Sequence, residues 1–261
     1  MKLSFLFFFA LFLHLSLFSQ EKVDIGVSYK LTYKLDSTSS NLQNENFVLY
    51  ANKDKSKFVS ASVYMKDSLS QQPNVEVRSI SLKYSTPNNY YIITEPKTNT
   101  IRHFQTFLSS KIYYTVSDKI NWKIQKETKT IQNLKCQKAT TELYGRKWVA
   151  WFTEEYPFPI GPYKFYGLPG LIIEVYDVKN DYHFVANQIK AKKNKFVDFD
   201  IQKKYIETSK DKFWNAAVNS QTQLDPIFNN LVFEDQNVLP TMKKNKQEEA
   251  KRKNNPLELK H

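Results

Sequence analysis

Hydrophobic and polar residues alternate along much of the chain, and this alternation predicts β-strands. In residues 23–35, VDIGVSYKLTYKL, every odd position from Val23 to Leu35 is apolar or aromatic, while every even position is polar or is Gly26. A strand places such a set on one face, whereas a helix would scatter it around its axis. We therefore expect an antiparallel strand with one buried and one solvated side.

Similar segments recur along the chain and are separated by turn residues, as in an all-β meander. Strands are predicted at residues 47–50, 58–65, 75–84, 90–94, 100–107, 112–116, 120–126, 136–144, 147–153, 170–176 and 182–189. A helix is predicted over 209–220, because Thr208 to Asp211 has the form of a capping box and Phe213 and Trp214 follow at helical spacing. The expected fold is mainly β, an antiparallel curved sheet or half-barrel with a short C-terminal helix.

The two ends of the chain differ in composition from its middle. Residues 1–19 have the pattern of a secretory signal peptide, since a positive start precedes an apolar run and Leu17 and Ser19 suit the cleavage positions. A retained membrane anchor is the alternative, although the apolar run is short for a bilayer span. Residues 20–240 are predicted to form a single β-rich domain, and the basic, polar residues 241–261 a disordered tail.

The net charge limits the kinds of partner that the chain is expected to bind, and its cysteine content limits disulfide formation. The 261 residues include 38 basic and 26 acidic side chains, a formal net charge of +12. A diffuse positive surface suits contact with anionic envelope lipids or polysaccharide. Nucleic acid is not an expected partner, because the chain is predicted to be exported and shows no nucleic-acid-binding motif. Cys136 is the only cysteine, so no disulfide can form within one chain.

Three of the five glycines lie in residues 161–175, GPYKFYGLPGLIIEV. Within this stretch, Pro169 fits the second position of a type II turn and Gly170 the third position, which requires a positive φ. Prolines upstream make residues 154–170 a stiff, extended connection between strands. The spacing of a phosphate-binding loop is absent from this stretch. The motif residues are Gly167, Leu168, Pro169, Gly170, Leu171 and Ile172.

The motif GPYKFYGLPGLI resembles the signature of the GLPGLI family of exported bacterial proteins, found chiefly in Bacteroidota. Trp122, the CQKAT run at residues 136–140 and the GRKWVAWFT run at residues 145–153 are similar to the family's upstream pattern. The resemblance implies an exported protein, periplasmic or outer-membrane-associated, often encoded beside outer-membrane receptor components and of no established activity. It also implies a likeness to half-barrel carriers, whose curved sheet wraps an apolar cavity.

Charged and aromatic residues around the signature are candidates for a binding site. Arg146 could hold an anionic head group through its planar guanidinium, or it could be an ordinary strand-edge charge. Trp148 and Trp151 would lie on opposite faces of one strand, so that one face could line a cavity while the other packs in the core. The candidate binding residues are Arg146, Trp148, Trp151, Tyr163, Phe165 and Glu174.

No catalytic constellation is visible, and no catalytic residue, metal or cofactor is predicted. Glu154 and Glu155 would point to opposite faces of a strand, so only one of them could pair with Glu174 for glycoside hydrolysis. His103 and His183 lack a third metal ligand nearby in the sequence. The lone cysteine could be a nucleophile only beside an activating base, and a small buried side chain is the simpler interpretation.

Three functions follow from these observations, in order of preference. The first is an exported, non-enzymatic binding protein that holds a hydrophobic or lipid-like ligand in its curved sheet. The second is an interaction module in which the connection at 154–170 docks to an outer-membrane receptor or transport component through Tyr163 and Phe165. The third is a hydrolase. After removal of the signal peptide, the protein is not expected to span a membrane.

Overall fold

The computed structural model describes residues 20–73, 76–225, 228 and 233–260. Its main element is one large open sheet of twelve strands, antiparallel except for the last pair at one edge. This confirms the mainly β, antiparallel fold expected from the sequence. The predicted signal peptide, residues 1–19, lies outside the described residues.

Twelve strands form the sheet. They are β1 (Gln20–Tyr33), β2 (Gln43–Ala51), β3 (Ser56–Ser60), β4 (Tyr90–Glu95), β5 (Thr100–Phe107), β6 (Ser110–Val116), β7 (Lys123–Ile131), β8 (Leu134–Leu143), β9 (Arg146–Thr153), β10 (Leu171–Asp177), β11 (Tyr182–Asp198) and β12 (Ile206–Glu207). Their order in the sheet is β12-β6-β5-β4-β3-β2-β1-β11-β10-β9-β8-β7. Strand β1 therefore lies near the middle, between β2 and β11, and β12 and β7 form the two edges.

Four α-helices accompany the sheet within the described part of the chain. They are α1 (Ala61–Leu69), α2 (Val77–Lys83), α3 (Lys210–Thr222) and α4 (Val238–Lys251), and 3-10 turns lie at Pro96–Thr98 and Ile201–Lys204. The predicted helix α3 is confirmed, and the side chain of Ser209 caps it by accepting a hydrogen bond from the amide of Lys212. None of the described helices is long and apolar enough to cross a membrane.

The alternation that opens the chain is confirmed in β1. Ile25, Val27, Tyr29 and Leu31 are buried in the main core. Lys30, between two of these residues, stays exposed. The strand therefore has one buried and one wetter side, as its period of two predicts.

The sheet is packed on both faces. The first face carries the larger core, which the buried side chains of the connection at 154–170 complete. The second face carries a smaller core that includes Val59, Tyr91 and Phe104 and lies beneath α1 and the Ile201–Lys204 turn. Because successive residues of a strand point to opposite faces, Phe58 belongs to the first face and Val59 to the second.

Two predicted strands are partly or wholly wrong. The strand predicted at 58–65 stops at Ser60, whose hydroxyl accepts a hydrogen bond from a backbone amide in the first turn of α1. The segment 75–84 contains α2 instead of a strand. A strand would place Ile80 and Leu82 on the same face, yet Ile80 is 5% exposed and Leu82 is 73% exposed.

The basic tail, expected to be disordered, has regular structure and buried anchors. Its first part belongs to α4, which has no buried residue. Residues 252–260 then lie against the first face, where Asn255 and Glu258 are buried. Composition predicts the wrong state here, because two anchoring side chains hold a segment that is otherwise polar and exposed.

Candidate functional site

The signature glycine allows a close approach of two backbone segments. A Cβ atom on Gly170 would lie 2.1 Å from the carbonyl oxygen of Thr153. The predicted type II turn is wrong, because Gly170 is not in the left-handed region, whereas Gly167 is, at φ +90°. Pro169, which precedes the glycine, is exposed. A glycine needed for a close backbone approach and a glycine needed for a positive φ look the same in the sequence, so the pattern alone could not distinguish them.

The remaining motif residues belong to the main core. Leu168, Leu171 and Ile172 are buried. The amides of Leu171 and Ile172 donate hydrogen bonds of 3.0 Å to the carbonyls of Tyr156 and Ile160 in the preceding connection. The connection therefore folds back onto the strand that follows it, and the motif works as a structural element of the first face.

Arg146 is buried, and its guanidinium is fully engaged. It donates hydrogen bonds to the carboxylates of Asp177 at 3.0 Å and Asp181 at 3.5 Å, and to three oxygens of residues 255–257 at 2.6 to 3.1 Å. The ring of Tyr182 stacks against it at 4.8 Å. These five bonds use the donors that an anionic head group, the predicted partner of Arg146, would need.

Lys164 is the second buried cation of the first face. Its ammonium contacts the carboxylate of Glu258 and donates a hydrogen bond of 2.6 Å to the hydroxyl of Tyr114. Burial lowers the pKa of Lys164, and the Glu258 carboxylate opposes that shift. Four aromatic rings surround the ammonium, with centroids 4.8 to 5.8 Å from Nζ: Tyr114, Tyr144, Tyr163 and Trp214.

Tyr163 and Phe165 are core residues. They are 4% and 2% exposed, and the Phe165 ring packs against Trp148 with 4.7 Å between centroids. Tyr163 adopts φ +53°, a conformation that costs a bulky residue about 1 to 2 kcal/mol, and its hydroxyl donates to Glu258 at 2.5 Å. Both rings, and Trp148 with them, therefore lie in the main core.

Trp151 and Glu174 lie side by side in the register of β9 and β10. The ammonium of Lys129 lies 4.4 Å from the Trp151 ring centroid and donates to Glu174 at 2.5 Å. His183 Nε2 lies 2.8 Å from the other oxygen of Glu174. Burial alone would raise the pKa of Glu174, but hydrogen bonds from His183 and Lys129 lower it. The group is an ionised partner in a surface network.

The other carboxylate weighed for hydrolysis has a separate role. Glu155 accepts a hydrogen bond of 3.0 Å from the amide of Lys135. Glu154 is exposed. Glu155 and Glu174 are thus each bound by their own partners and do not form a carboxylate pair.

The buried histidine and cysteine lack the features of a catalytic pair. Burial lowers the pKa of His103 well below its ordinary value, which keeps the ring neutral. Burial raises the pKa of Cys136 to about 11, so the thiol is protonated at neutral pH and is a poor nucleophile. Within the described part of the chain, no three potential metal ligands come together.

An open cleft of about 440 Å³ lies on the second face, between α1, the end of β11 and the Ile201–Lys204 turn. Its volume is in the range of small-ligand sites. We call it the lysine–tyrosine cleft, because its wall holds four lysines, four tyrosines and two aspartates. These are Lys57, Lys111, Lys195, Lys204, Tyr50, Tyr64, Tyr91, Tyr205, Asp67 and Asp198.

Lys57 reaches the cleft from the interior of β3, on the same face as Val59. Its ammonium donates a hydrogen bond of 2.9 Å to the carbonyl of Asp198 and lies 5.0 Å from the ring centroid of Tyr91. Burial lowers the pKa of Lys57 to about 8, although the carboxylates of Asp198 and Asp67 oppose this shift. The ammonium is therefore a partly desolvated charge at the edge of an open volume.

Lys195 forms a second cationic position in the cleft. Its ammonium donates a hydrogen bond of 2.7 Å to the hydroxyl of Tyr64 and lies over the rings of Tyr50 and Tyr64, at 5.5 and 5.3 Å. The two rings are 5.6 Å apart. Burial alone would raise the pKa of Tyr64, but hydrogen bonds from Lys195 and Tyr50 lower it. This wall combines a positive charge with two aromatic surfaces.

The opposite wall engages one of the two acidic groups. The hydroxyl of Tyr91 donates to the carboxylate of Asp67. The ring of Tyr205 meets Tyr91 edge-on, with 6.5 Å between centroids, and burial raises the pKa of Tyr205 to about 12. The Asp67 carboxylate is thereby partly satisfied within the protein, and the four lysines of the cleft outnumber its two aspartates.

Sequence reasoning missed this cleft. Its residues come from β2, β3, α1, β4, β6, β11 and the Ile201–Lys204 turn, and only the strand order brings them together. One signal in the sequence could have indicated it. Lys57 stands next to apolar residues in KFVS and shares a strand face with Val59, which is buried.

The fold and the cleft define a class of molecule: an open antiparallel sheet that buries one ion network on its first face and offers a cationic, aromatic cleft on its second. A family profile described as "Protein of unknown function (Porph_ging)" matches residues 144–174. The match contains the whole GLPGLI motif and supports a segment shared with a family of unknown function.

Solved structures resemble the chain in fold. Two crystal forms of PNGF-II match 77% of this chain, with TM-scores of 0.55 and 0.56 and sequence identities of 14% and 15%. The chain spans 34% of the length of those PNGF-II chains. A likeness at this identity concerns the fold alone. A comparison with curated proteins gave no match.

Proposed function

We propose that the chain is an exported, non-enzymatic binding protein that holds a small, ring-bearing anion in the lysine–tyrosine cleft. The observation that carries this proposal is the combination of ammonium groups and aromatic rings around one open volume. Export rests on the pattern of residues 1–19. The proposal revises the ligand class expected from the sequence and keeps the class of protein.

Charge supports an anionic ligand. The cleft holds four lysines against two aspartates. Holding the Lys57 ammonium away from water has a cost in free energy, which appears as its lowered pKa. A carboxylate or phosphate bound beside Lys57 and Lys195 would offset that cost through charge-assisted hydrogen bonds.

The aromatic walls support a ring in the ligand. Tyr50 and Tyr64 present neighbouring rings next to Lys195, and Tyr91 and Tyr205 line the other side. The C–H face of a ring can pack on such aromatic faces while an acidic group on the ring reaches an ammonium. Acidic sugars and sugar phosphates have this combination.

A lipid-like ligand is less well supported. The first face, where a curved sheet was expected to enclose an apolar cavity, is filled by buried side chains of the connection at 154–170. The lysine–tyrosine cleft has charged groups on its walls, and an acyl chain there would leave Lys57 and Lys195 poorly solvated.

The test compares acidic probes with neutral probes of the same shape. Calorimetric titration with glucuronic acid, galacturonic acid and glucose 6-phosphate is expected to give at least about tenfold tighter binding than glucose or galactose for one or more pairs, since a charged hydrogen bond contributes about 1.5 kcal/mol. The variant Lys195→Met is expected to lose about tenfold in affinity. Lys123→Met is the matched control, because Lys123 is exposed on the edge strand β7.

Two outcomes would contradict the proposal. One is equal or absent binding of every acidic probe and its neutral counterpart. The other is an equal loss of affinity in Lys195→Met and Lys123→Met, which would indicate a general effect of net charge rather than a site.

A further inference from the structure

Residues 254–260, here called the strap, lie on the first face and are held by distant elements. The amide of Asn255 donates to the carbonyl of Leu35 at 3.0 Å, and its side-chain amide donates to the carbonyl of Lys34 at 3.0 Å. The hydroxyl of Tyr182 donates to the carbonyl of Asn255 at 2.5 Å. Asn255 is therefore an anchor bound through both its backbone and its side chain.

Glu258 is the second anchor of the strap. Its carboxylate accepts hydrogen bonds from the ammonium of Lys164 and the hydroxyl of Tyr163. The next two amides, those of Leu259 and Lys260, donate to the carbonyl of Tyr144 at 2.9 and 3.2 Å. The ammonium of Lys164, which four aromatic rings surround, thus has its carboxylate partner in the strap.

Arg146 binds the strap between the two anchors, Asn255 and Glu258. It donates to the side-chain oxygen of Asn255 and to the carbonyls of Pro256 and Leu257. Its orientation is fixed from the other side by Asp177, which is buried and belongs to β10. A guanidinium fixed in this way is prepared for its peptide partner, and preorganisation of this kind favours binding.

The strap resembles a bound peptide more than a continuation of the core. Its buried residues are Asn255 and Glu258, three positions apart, while Pro256 and Leu259 are exposed. The preceding helix, α4, has no buried residue. This part of the chain is therefore attached through the contacts of the strap together with those between α4 and α3.

The residues that bind the strap and the strap itself differ in one further respect. Tyr144, Arg146, Tyr163 and Lys164 all lie within residues 144–174, the segment that the family profile matches. The strap lies outside that segment. Lys34, Leu35 and Tyr182, which hold Asn255, also lie outside it, so the family segment supplies only the part of the contact made by Tyr144, Arg146, Tyr163 and Lys164.

We infer that these residues form a recognition groove for a glutamate-containing peptide of the pattern Asn-Pro-x-Glu, that the strap is its tethered occupant, and that the groove accepts such a peptide from another polypeptide when the strap is displaced. The groove lies on the opposite face of the sheet from the lysine–tyrosine cleft. The inference therefore goes beyond the proposed function and does not depend on it.

The test uses the full chain and a fluorescent peptide with the sequence of residues 253–260, KNNPLELK. The strap is weakened by Asn255→Ala with Glu258→Gln. Peptide anisotropy is expected to show at least about tenfold tighter binding to this double variant than to the unaltered chain, because a tethered competitor acts at high effective concentration. A peptide with Gln at the glutamate position is expected to bind at least about tenfold more weakly.

Two variants added to the double variant separate the groove from the cleft. Tyr163→Phe removes a hydroxyl that contacts the glutamate and is expected to weaken peptide binding severalfold. Lys57→Met, on the second face, is expected to leave it unchanged. Absence of peptide binding to a double variant that keeps the near-ultraviolet circular dichroism of the unaltered chain would overturn the inference, as would equal binding of the two peptides.

Hydrogen exchange on the unaltered chain decides the matter if the double variant does not fold. The amides of Asn255, Leu259 and Lys260 are expected to exchange at least about tenfold faster than that of Ile172, because a displaceable strap opens without global unfolding. Equal protection of these amides would show that the strap belongs to the core and would overturn the inference.

Discussion

Lys164 and Lys57 are both removed from bulk water, yet they lie in regions of opposite character. Lys164 is on the first face, where a carboxylate, a hydroxyl and four rings complete its surroundings. Lys57 is on the second face, where its ammonium has one carbonyl partner and one ring and borders an open cleft. A lysine whose partners are complete stabilises the fold, whereas one with incomplete partners can bind a ligand.

The same contrast separates the conspicuous residues of the sequence from the inconspicuous ones. The glycines, tryptophans and arginine around the signature build the packed first face. Lysines and tyrosines that form no local motif line the open cleft of the second face. A motif in this chain therefore marks a region where backbone and charge are tightly constrained, and the small-ligand site that we propose lies on the other face.

The largest expected effect is at the tightest point of the first face. Gly170→Ala is expected to destabilise the protein by more than about 3 kcal/mol or to prevent folding, because the new methyl group would overlap the Thr153 carbonyl. The measurement is the free energy of unfolding from urea denaturation. Gly167→Ala is the control, since its Cβ would meet nothing within 4 Å and only the positive φ is unfavourable, at about 1 to 2 kcal/mol.

A smaller cost for Gly170→Ala than for Gly167→Ala would break the account of the first face. It would mean that the backbones of the signature and of β9 can separate without loss.

The second prediction compares the two lysines directly. Lys164→Met leaves the Glu258 carboxylate buried without its ammonium partner and is expected to cost about 3 to 5 kcal/mol of unfolding free energy. Lys57→Met removes one hydrogen bond to a carbonyl at the edge of a cleft and is expected to change stability by less than about 1 kcal/mol. Both variants are measured by the same urea denaturation.

Adding Glu258→Gln to Lys164→Met sharpens the comparison. The double variant is expected to be more stable than Lys164→Met alone, because an uncharged amide replaces the isolated buried charge. Equal losses for Lys164→Met and Lys57→Met would show that the two environments do not differ as described.

The third and smallest effect is a pH dependence confined to the cleft. The pKa of Lys57 is lowered to about 8 in the folded chain, from an ordinary 10.5. Affinity for an acidic sugar is therefore expected to fall by up to about tenfold between pH 7 and 9, as the ammonium loses its proton. Lys57→Arg keeps its charge across this range and should remove the dependence.

The lowered pKa of Lys57 also determines how the free energy of unfolding changes with pH. Between pH 8 and 10.5 the unfolded chain binds more protons at Lys57 than the folded chain does, so this group makes stability rise with pH across that window. A flat affinity profile for the unaltered protein, or an unchanged fall in Lys57→Arg, would separate Lys57 from ligand binding.

Sequence reasoning succeeded where the information is local. The odd residues of β1 from Ile25 to Tyr33 share the first face as predicted, although Val23 packs in the smaller core. The polar run at 208–211 marks the start of α3, although the cap is Ser209 rather than Thr208. Ser60 begins a helix in a segment that otherwise alternates, and such a cap is recognised only when the strand before it is known to stop. In each case the outcome depends on whether the residues that decide the structure are close together in the sequence.

The sites depend on neighbours that are far apart in the chain. For Arg146 the sequence left two alternatives, an anionic head-group contact and a strand-edge charge, because its partners are 31 to 111 positions away. Lys57 and Lys195 meet only because the sheet order places β3 near β1 and β11. No local pattern contains that order, so the ion network and the cleft could not be predicted from it.

The open sheet has a consequence for copies of the protein at high concentration. A sheet that does not close leaves two borders whose backbone groups could pair with another molecule. One border is β12, which is two residues long. The other is β7, which carries Lys123, Lys126 and Lys129 along KIQKETKTI and is mostly exposed. Lys129 is paired with Glu174, so the exposed charges of Lys123 and Lys126 are what disfavour stacking of this longer border into fibres.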